Sequence, residues 1–148
     1  MRTLRRIAFA LAVVQLAVWV AGRLAERSAP QDTDPSTDEF SLAAYTTGRA
    51  YTNRSTHLRT GSAVAVLGGI TIDLTGAELD PAGATLVLKT RFGGARVQVP
   101  PGWRVEMMGR SEMGGNDLRV TDPSSLPEDA PRLSIVADTR WGGVLVTT

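Results

Sequence analysis

LGGITIDL at residues 67–74 recurs in altered form as FGGARVQV at 92–99, MGGNDLRV at 113–120 and WGGVLVTT at 141–148. Each copy opens with a large apolar residue and two glycines, then a run that alternates. Alternation of period two is the signature of a half-buried strand, and these runs are too short for helices. A second strand-like run precedes each later copy, at 84–89, 103–107 and 133–137. The glycine pairs are Gly68-Gly69, Gly93-Gly94, Gly114-Gly115 and Gly142-Gly143. They begin at residues 68, 93, 114 and 142, so the spacing is 25, 21 and 28 residues. A period in the twenties marks a stacked-repeat architecture. Glycine takes positive φ freely, so each pair reads as a sharp corner between two strands. The chain is read as all-β, a β-solenoid of glycine-cornered repeats.

The inward residues of the four copies are expected to be Ile70, Ile72 and Leu74; Ala95, Val97 and Val99; Asn116, Leu118 and Val120; Val144, Val146 and Thr148. Leu67, Phe92, Met113 and Trp141 are expected to stack along one edge of the core. Asp80-Pro81, Pro100-Pro101-Gly102, Asp122-Pro123 and the segment 127–131 supply turns. Residues 40–61 read as a worn first repeat in which Thr46-Thr47-Gly48 replaces the glycine corner, and an atypical terminal repeat is a natural cap. If successive repeats stack in chain order, Arg91 faces Glu112, Glu112 faces Arg140 and Arg96 faces Asp117. Opposite charges are thereby brought together. The chain stops inside its fourth copy, so Trp141, Val144, Leu145 and Val146 are expected to form an open interaction edge.

Residues 7–22, IAFALAVVQLAVWVAG, contain only Gln15 as a polar residue, and as a helix they span about 24 Å. Arg2, Arg5 and Arg6 precede the run, and Arg23 and Arg27 follow it. Residues 1–25 read as an N-terminal transmembrane helix anchoring the chain in the cell membrane, with a cleaved signal peptide as the alternative. The apolar run exceeds the usual signal length, which favours the anchor. The excess of leading arginines places the domain on the extracytoplasmic side. Residues 26–39 are polar and acidic, with two prolines, and read as a flexible tether. Residues 40–148 are the folded domain.

No cofactor, metal or nucleic-acid partner is expected. Net charge is +1 across 148 residues, so no polyanion is implied. There is no cysteine, which removes a cysteine nucleophile, and a single histidine, His57, which argues against a zinc site. No serine sits in a strand-turn-helix elbow, and the glycine pairs precede strands where a phosphate loop opens a helix. Asp122, Glu128 and Asp129 lack the regular spacing of a calcium loop. Trp103 and Trp141 read as core anchors, with a carbohydrate-stacking platform as the alternative.

The runs AVLGGITIDLTGAEL at 65–79, TRFGGARVQVPPGWRVE at 90–106, MGGNDLRV at 113–120 and TRWGGVLV at 139–146 resemble the C-terminal domain of LiaF-type proteins, the cell-wall-active antibiotic response family. The resemblance implies a right-handed β-solenoid likened to a toast rack. It implies a membrane-linked, non-enzymatic role in sensing or restraining envelope stress, often beside a histidine kinase. With one hydrophobic segment where LiaF has several, the chain is expected to be a single-pass relative. Two other roles stay open: a homo-oligomeric structural module at the cell envelope, and a cell-wall glycan binder.

Overall fold

The computed structural model describes residues 2–28 and 34–148, and the helix side chains from residue 11 onward except those of residues 26 and 28. The leading part of the expected anchor and residues 29–33 of the expected tether therefore lie outside the described side chains and residues. The chain begins with α1 (Arg2–Ser28) and continues through ten strands: β1 (Glu39–Ala44), β2 (Gly48–Thr52), β3 (Thr60–Val66), β4 (Gly69–Asp73), β5 (Ala84–Arg91), β6 (Gly94–Gln98), β7 (Arg104–Glu112), β8 (Gly115–Arg119), β9 (Arg132–Arg140) and β10 (Gly143–Thr147). Among the described residues, no helix is long and apolar enough to cross a membrane. Leu11, Val14, Leu16, Trp19 and Leu24 of α1 are all exposed.

The strands form two parallel five-stranded sheets, ordered β1-β3-β5-β9-β7 and β2-β4-β6-β10-β8. Odd-numbered strands make one sheet and even-numbered strands the other, so each corner carries the chain from the first sheet to the second. One strand from each sheet makes a rung. Equivalent residues of neighbouring rungs pair in register, as in Gly69↔Gly94 and Gly143↔Gly115. Parallel pairing of equivalent strands is what the repeat predicts.

The order of the rungs is not what chain order predicts. The last rung, β9 with β10, lies between the rung of β5 and β6 and the rung of β7 and β8. The expected charge pairs change accordingly. Arg91 pairs with Arg140, and Arg140 with Glu112. Arg96 meets Leu145, not Asp117, which lies one strand further on.

The core lies between the sheets and is graded in size. Nearest the corner sit Ala44, Ala65, Thr90 and Thr139; further along the same strands sit Phe40, Leu86 and Ile135, all buried. The other sheet contributes Ile70, Ile72, Val97, Val144 and Val146. Small residues at the corner and large ones away from it suit two sheets that meet there and diverge. Trp103 is buried in this core, as the anchor reading expects and against the carbohydrate-platform alternative.

Residues 34–39, read from the sequence as part of the tether, are tied to the sheets. Hydrogen bonds do this. Arg54 N–H donates to the Pro35 carbonyl at 2.6 Å, and Arg59 N–H to the Asp38 carbonyl at 2.9 Å. Tyr51 Oη donates to the Asp34 carbonyl, and Asn53 Nδ2 to the Thr37 carbonyl, at 2.8 and 2.9 Å. Asn53 is fully buried, and its Oδ1 accepts from the Ser55 N–H. Asn53 is thus a buried amide with its partners satisfied, as a buried polar group requires.

Candidate functional site

Among the described residues, the non-glycine positions with positive φ all lie at the corners. Leu67, Phe92, Met113 and Trp141 adopt left-handed φ values of 54°, 52°, 50° and 54°. The sequence assigns positive φ to the glycines, but the structure gives it to the residue before each pair. The glycines answer a different need. A Cβ on Gly68, Gly93, Gly114 or Gly142 would overlap a backbone carbonyl of the neighbouring rung, that of Thr47, Gly68, Gly142 or Gly93 respectively. That close approach lets hydrogen bonding continue through the turn. Gly94 N–H donates to Gly68, Gly143 to Gly93 and Gly115 to Gly142, at 3.1, 3.2 and 3.1 Å.

The left-handed residues do not line a core edge. Leu67, Phe92, Trp141 and Met113, in stack order, are 48%, 58%, 54% and 71% exposed. At these positions the side chain leaves the turn on its outer side. The rings of Phe92 and Trp141 stack at 5.9 Å with planes 14° apart. The result is an apolar ladder along the outside of the corner, running across four rungs.

Beside the ladder, the second glycines align into a row: Gly48, Gly69, Gly94, Gly143 and Gly115. With no side chains on that row, the outer face of the even-numbered sheet sinks into an open trough of about 810 Å³. Its far wall includes Thr71, Arg96, Leu145 and Asp117. Arg119 donates from Nε to Asp117 Oδ2 at 2.7 Å on the same strand. That local pair takes the place of the expected partner Arg96.

The expected C-terminal edge is not an edge. β10 pairs with β6 on one side and β8 on the other, so its backbone groups are used on both sides. Val144 and Val146 are buried, and Leu145 faces the trough. Of the four edge residues named from the sequence, only Trp141 is well exposed. The unpaired strands at this end of the stack are β7 and β8.

Three aspartates share a device that the sequence reading missed. Asp34, Asp73 and Asp122 each stand two residues before a hydroxyl residue: Ser36, Thr75 and Ser124. Each carboxylate accepts from both the hydroxyl and the N–H of that partner, at 2.6–2.9 Å. The hydroxyl bond, with the N–H bond behind it, holds each carboxyl below its ordinary value. Asp-x-Ser/Thr at the end of a run is a legible turn signal. His57 is exposed, and its Nδ1 lies 3.0 Å from Thr56 Oγ1. Among the described residues, no cluster of three or more His, Cys, Asp or Glu side chains is placed to hold a metal.

Comparison with protein-family models, curated proteins and solved structures finds no match for this chain.

Proposed function

We propose that this chain is a membrane-attached protein whose body is a right-handed β-solenoid of the LiaF-like, cell-wall-active antibiotic response type. It acts without catalysis, through protein–protein contacts in envelope-stress regulation. Its body lies on the extracytoplasmic side, and its partner is an envelope-stress signalling protein such as a histidine kinase. The observation that carries this reading is the exposed ladder of Leu67, Phe92, Trp141 and Met113. Large apolar side chains on strained backbone, gathered in one exposed line, mark an interaction surface. The exposed apolar side chains of α1 support membrane attachment. A second reading, a self-assembling structural module, is favoured by the two unpaired strands β7 and β8.

One experiment addresses both parts of the proposal. The full chain is expressed in a bacterium, and its membranes are washed with carbonate, solubilised in detergent and used for affinity capture. We expect the chain to stay with the membranes and to capture a signalling partner, while Phe92→Ser/Trp141→Ser stays anchored and loses it. Release by carbonate would remove the anchor, and equal capture by the variant would remove the ladder as the contact surface.

A further inference from the structure

We propose that β7 is a self-recognising edge. Two copies of the chain pair their β7 strands antiparallel about Met108, joining their five-stranded sheets into one continuous sheet.

The argument begins with which backbone groups are free. Arg104 N–H donates to the Pro131 carbonyl, and the Glu112 carbonyl accepts from Trp141 N–H. The register between β7 and β9 is one-for-one from Arg104↔Arg132 to Glu112↔Arg140. The even-numbered residues of β7 therefore turn their peptide groups toward β9. The odd-numbered ones, Val105, Met107 and Ser111, turn theirs to the open side, while Gly109 stands among them with an irregular φ of 139°. An antiparallel partner bonds to those odd residues and leaves the even residues as its closely spaced, non-hydrogen-bonded pairs.

The even residues carry the outward side chains, and their order is Arg104, Glu106, Met108, Arg110, Glu112. About a two-fold axis at Met108, Arg104 faces the partner's Glu112 and Glu106 faces the partner's Arg110. Met108, itself 58% exposed, faces its own copy. Symmetry gives each charge pair twice. Moving the axis by one residue destroys the match. Centred on Met107, Arg104 meets Arg110; centred on Gly109, Glu106 meets Glu112. Like charges directly opposite one another are unfavourable, so the charge order specifies one register.

The inner face agrees with this register. Met107 lies opposite the partner's Gly109, a long side chain against none, and Val105 lies opposite the partner's Ser111. The charge rows already running across the sheet also continue. Lys89, Asp138 and Arg110 alternate in sign in the register of three strands, and the partner's Glu106 comes next. Glu112 lies 3.4 Å from Arg140 and would stand between it and the partner's Arg104. Arg104 already donates from Nη2 to the Pro127 and Leu126 carbonyls, at 3.0 and 3.5 Å, so pairing with the partner's Glu112 would share or replace those bonds. The edge at the other end of this sheet has no such pattern, since the alternate residues of β1 are Glu39, Ser41 and a buried Ala43.

The chain has no cysteine, so every introduced thiol is unique. The test uses the full chain in detergent micelles under mild oxidation. Met108→Cys should cross-link into a covalent dimer at least fivefold more than Ser41→Cys, placed mid-strand on β1. In the Met108→Cys background, Glu106→Arg and Arg110→Glu each face their own copies with like charges. Each alone should lower the cross-linked fraction severalfold. Mixing the two variants restores opposite charges across the axis and should restore cross-linking as the mixed dimer. Equal yields from Met108→Cys and Ser41→Cys would overturn the pairing. Failure of the mixture to recover, with both variants showing the circular dichroism of the parent, would overturn the register.

Discussion

Gly142→Ala isolates the role of the first corner glycine. Gly142 has no left-handed backbone, so alanine meets no conformational penalty there. What it meets is the Gly93 carbonyl, which already accepts the Gly143 N–H at 3.2 Å. To admit a methyl group the two rungs must part by about an ångström, which takes that bond beyond hydrogen-bonding distance. The neighbouring bond across the same gap, Phe92 N–H to the Arg140 carbonyl, is strained with it. Overpacking costs about 1–3 kcal/mol. Each ladder bond lost adds about 1 kcal/mol. A total near 3–4 kcal/mol corresponds to a fall in Tm of roughly 10–15 °C for a domain of this size. Gly115→Ala is the control, because a Cβ there meets nothing within 4 Å. It should be neutral or stabilise by about 0.4–1 kcal/mol through the unfolded chain. Thermal melts followed by circular dichroism separate the two. Equal shifts for Gly142→Ala and Gly115→Ala would refute close backbone approach as the reason for the glycine pairs.

Two further outcomes follow from the corners and turns. Met113→Gly should raise Tm, because Met113 is left-handed and 71% exposed, and glycine removes a strain of about 1–2 kcal/mol at little cost in packing; a lowered midpoint would show that the Met113 side chain contributes more than its backbone costs. Asp73 has a carboxyl held low in the folded state, so its contribution is complete above the unfolded value of about 3.9 and is lost as pH falls through the folded one; chemical denaturation between pH 5 and about 2 should show a shallower loss for Asp73→Asn than for the parent, and parallel curves would contradict the assignment.

Much of the architecture is legible because it is local. Alternation in 69–73, 94–98 and 143–147 identifies strands, and identical corner spacing aligns their glycines into a row. The order of the rungs is not local. Four similar corners offer nearly the same partner to one another, so nothing in them says which two are neighbours. The traces lie elsewhere. The connection between β8 and β9, residues 120–131, is the longest between successive strands, and it lets the chain step past β7. The fourth rung in sequence also has the least apolar inner face, with Gly109, Ser111 and Asn116. A rung open on one side can hold polar inner residues, whereas a rung enclosed on both must bury them. Asn116 is partly buried and accepts from Thr139 Oγ1 at 2.6 Å, a bond that joins this end rung to the inserted one. The exposure of Phe92 and Trp141 was illegible for another reason. A large apolar residue before a turn reads as core until the sign of its φ is known.

The same sign of φ bears on why those residues are large. A left-handed residue in a corner is cheapest as glycine, or as asparagine or aspartate, which tolerate that region. Four corners of this chain use leucine, phenylalanine, methionine and tryptophan there, at about 1–2 kcal/mol of backbone strain each. Contact within the ladder offsets part of it: the stacked Phe92 and Trp141 pair returns about 0.5–1.5 kcal/mol. Leu67 and Met113 have no ring to stack and remain 48% and 71% exposed. Folding alone therefore gives no reason for the whole ladder. A surface that gains by burying all four together does, at about 25 cal/mol for each Å² removed from water. Trough and ladder run across the same rungs, and the β7 edge would extend the odd-numbered sheet beyond them. The proposed partner capture along the corner and the proposed self-pairing through β7 consequently use different groups, and the two are compatible in one assembly.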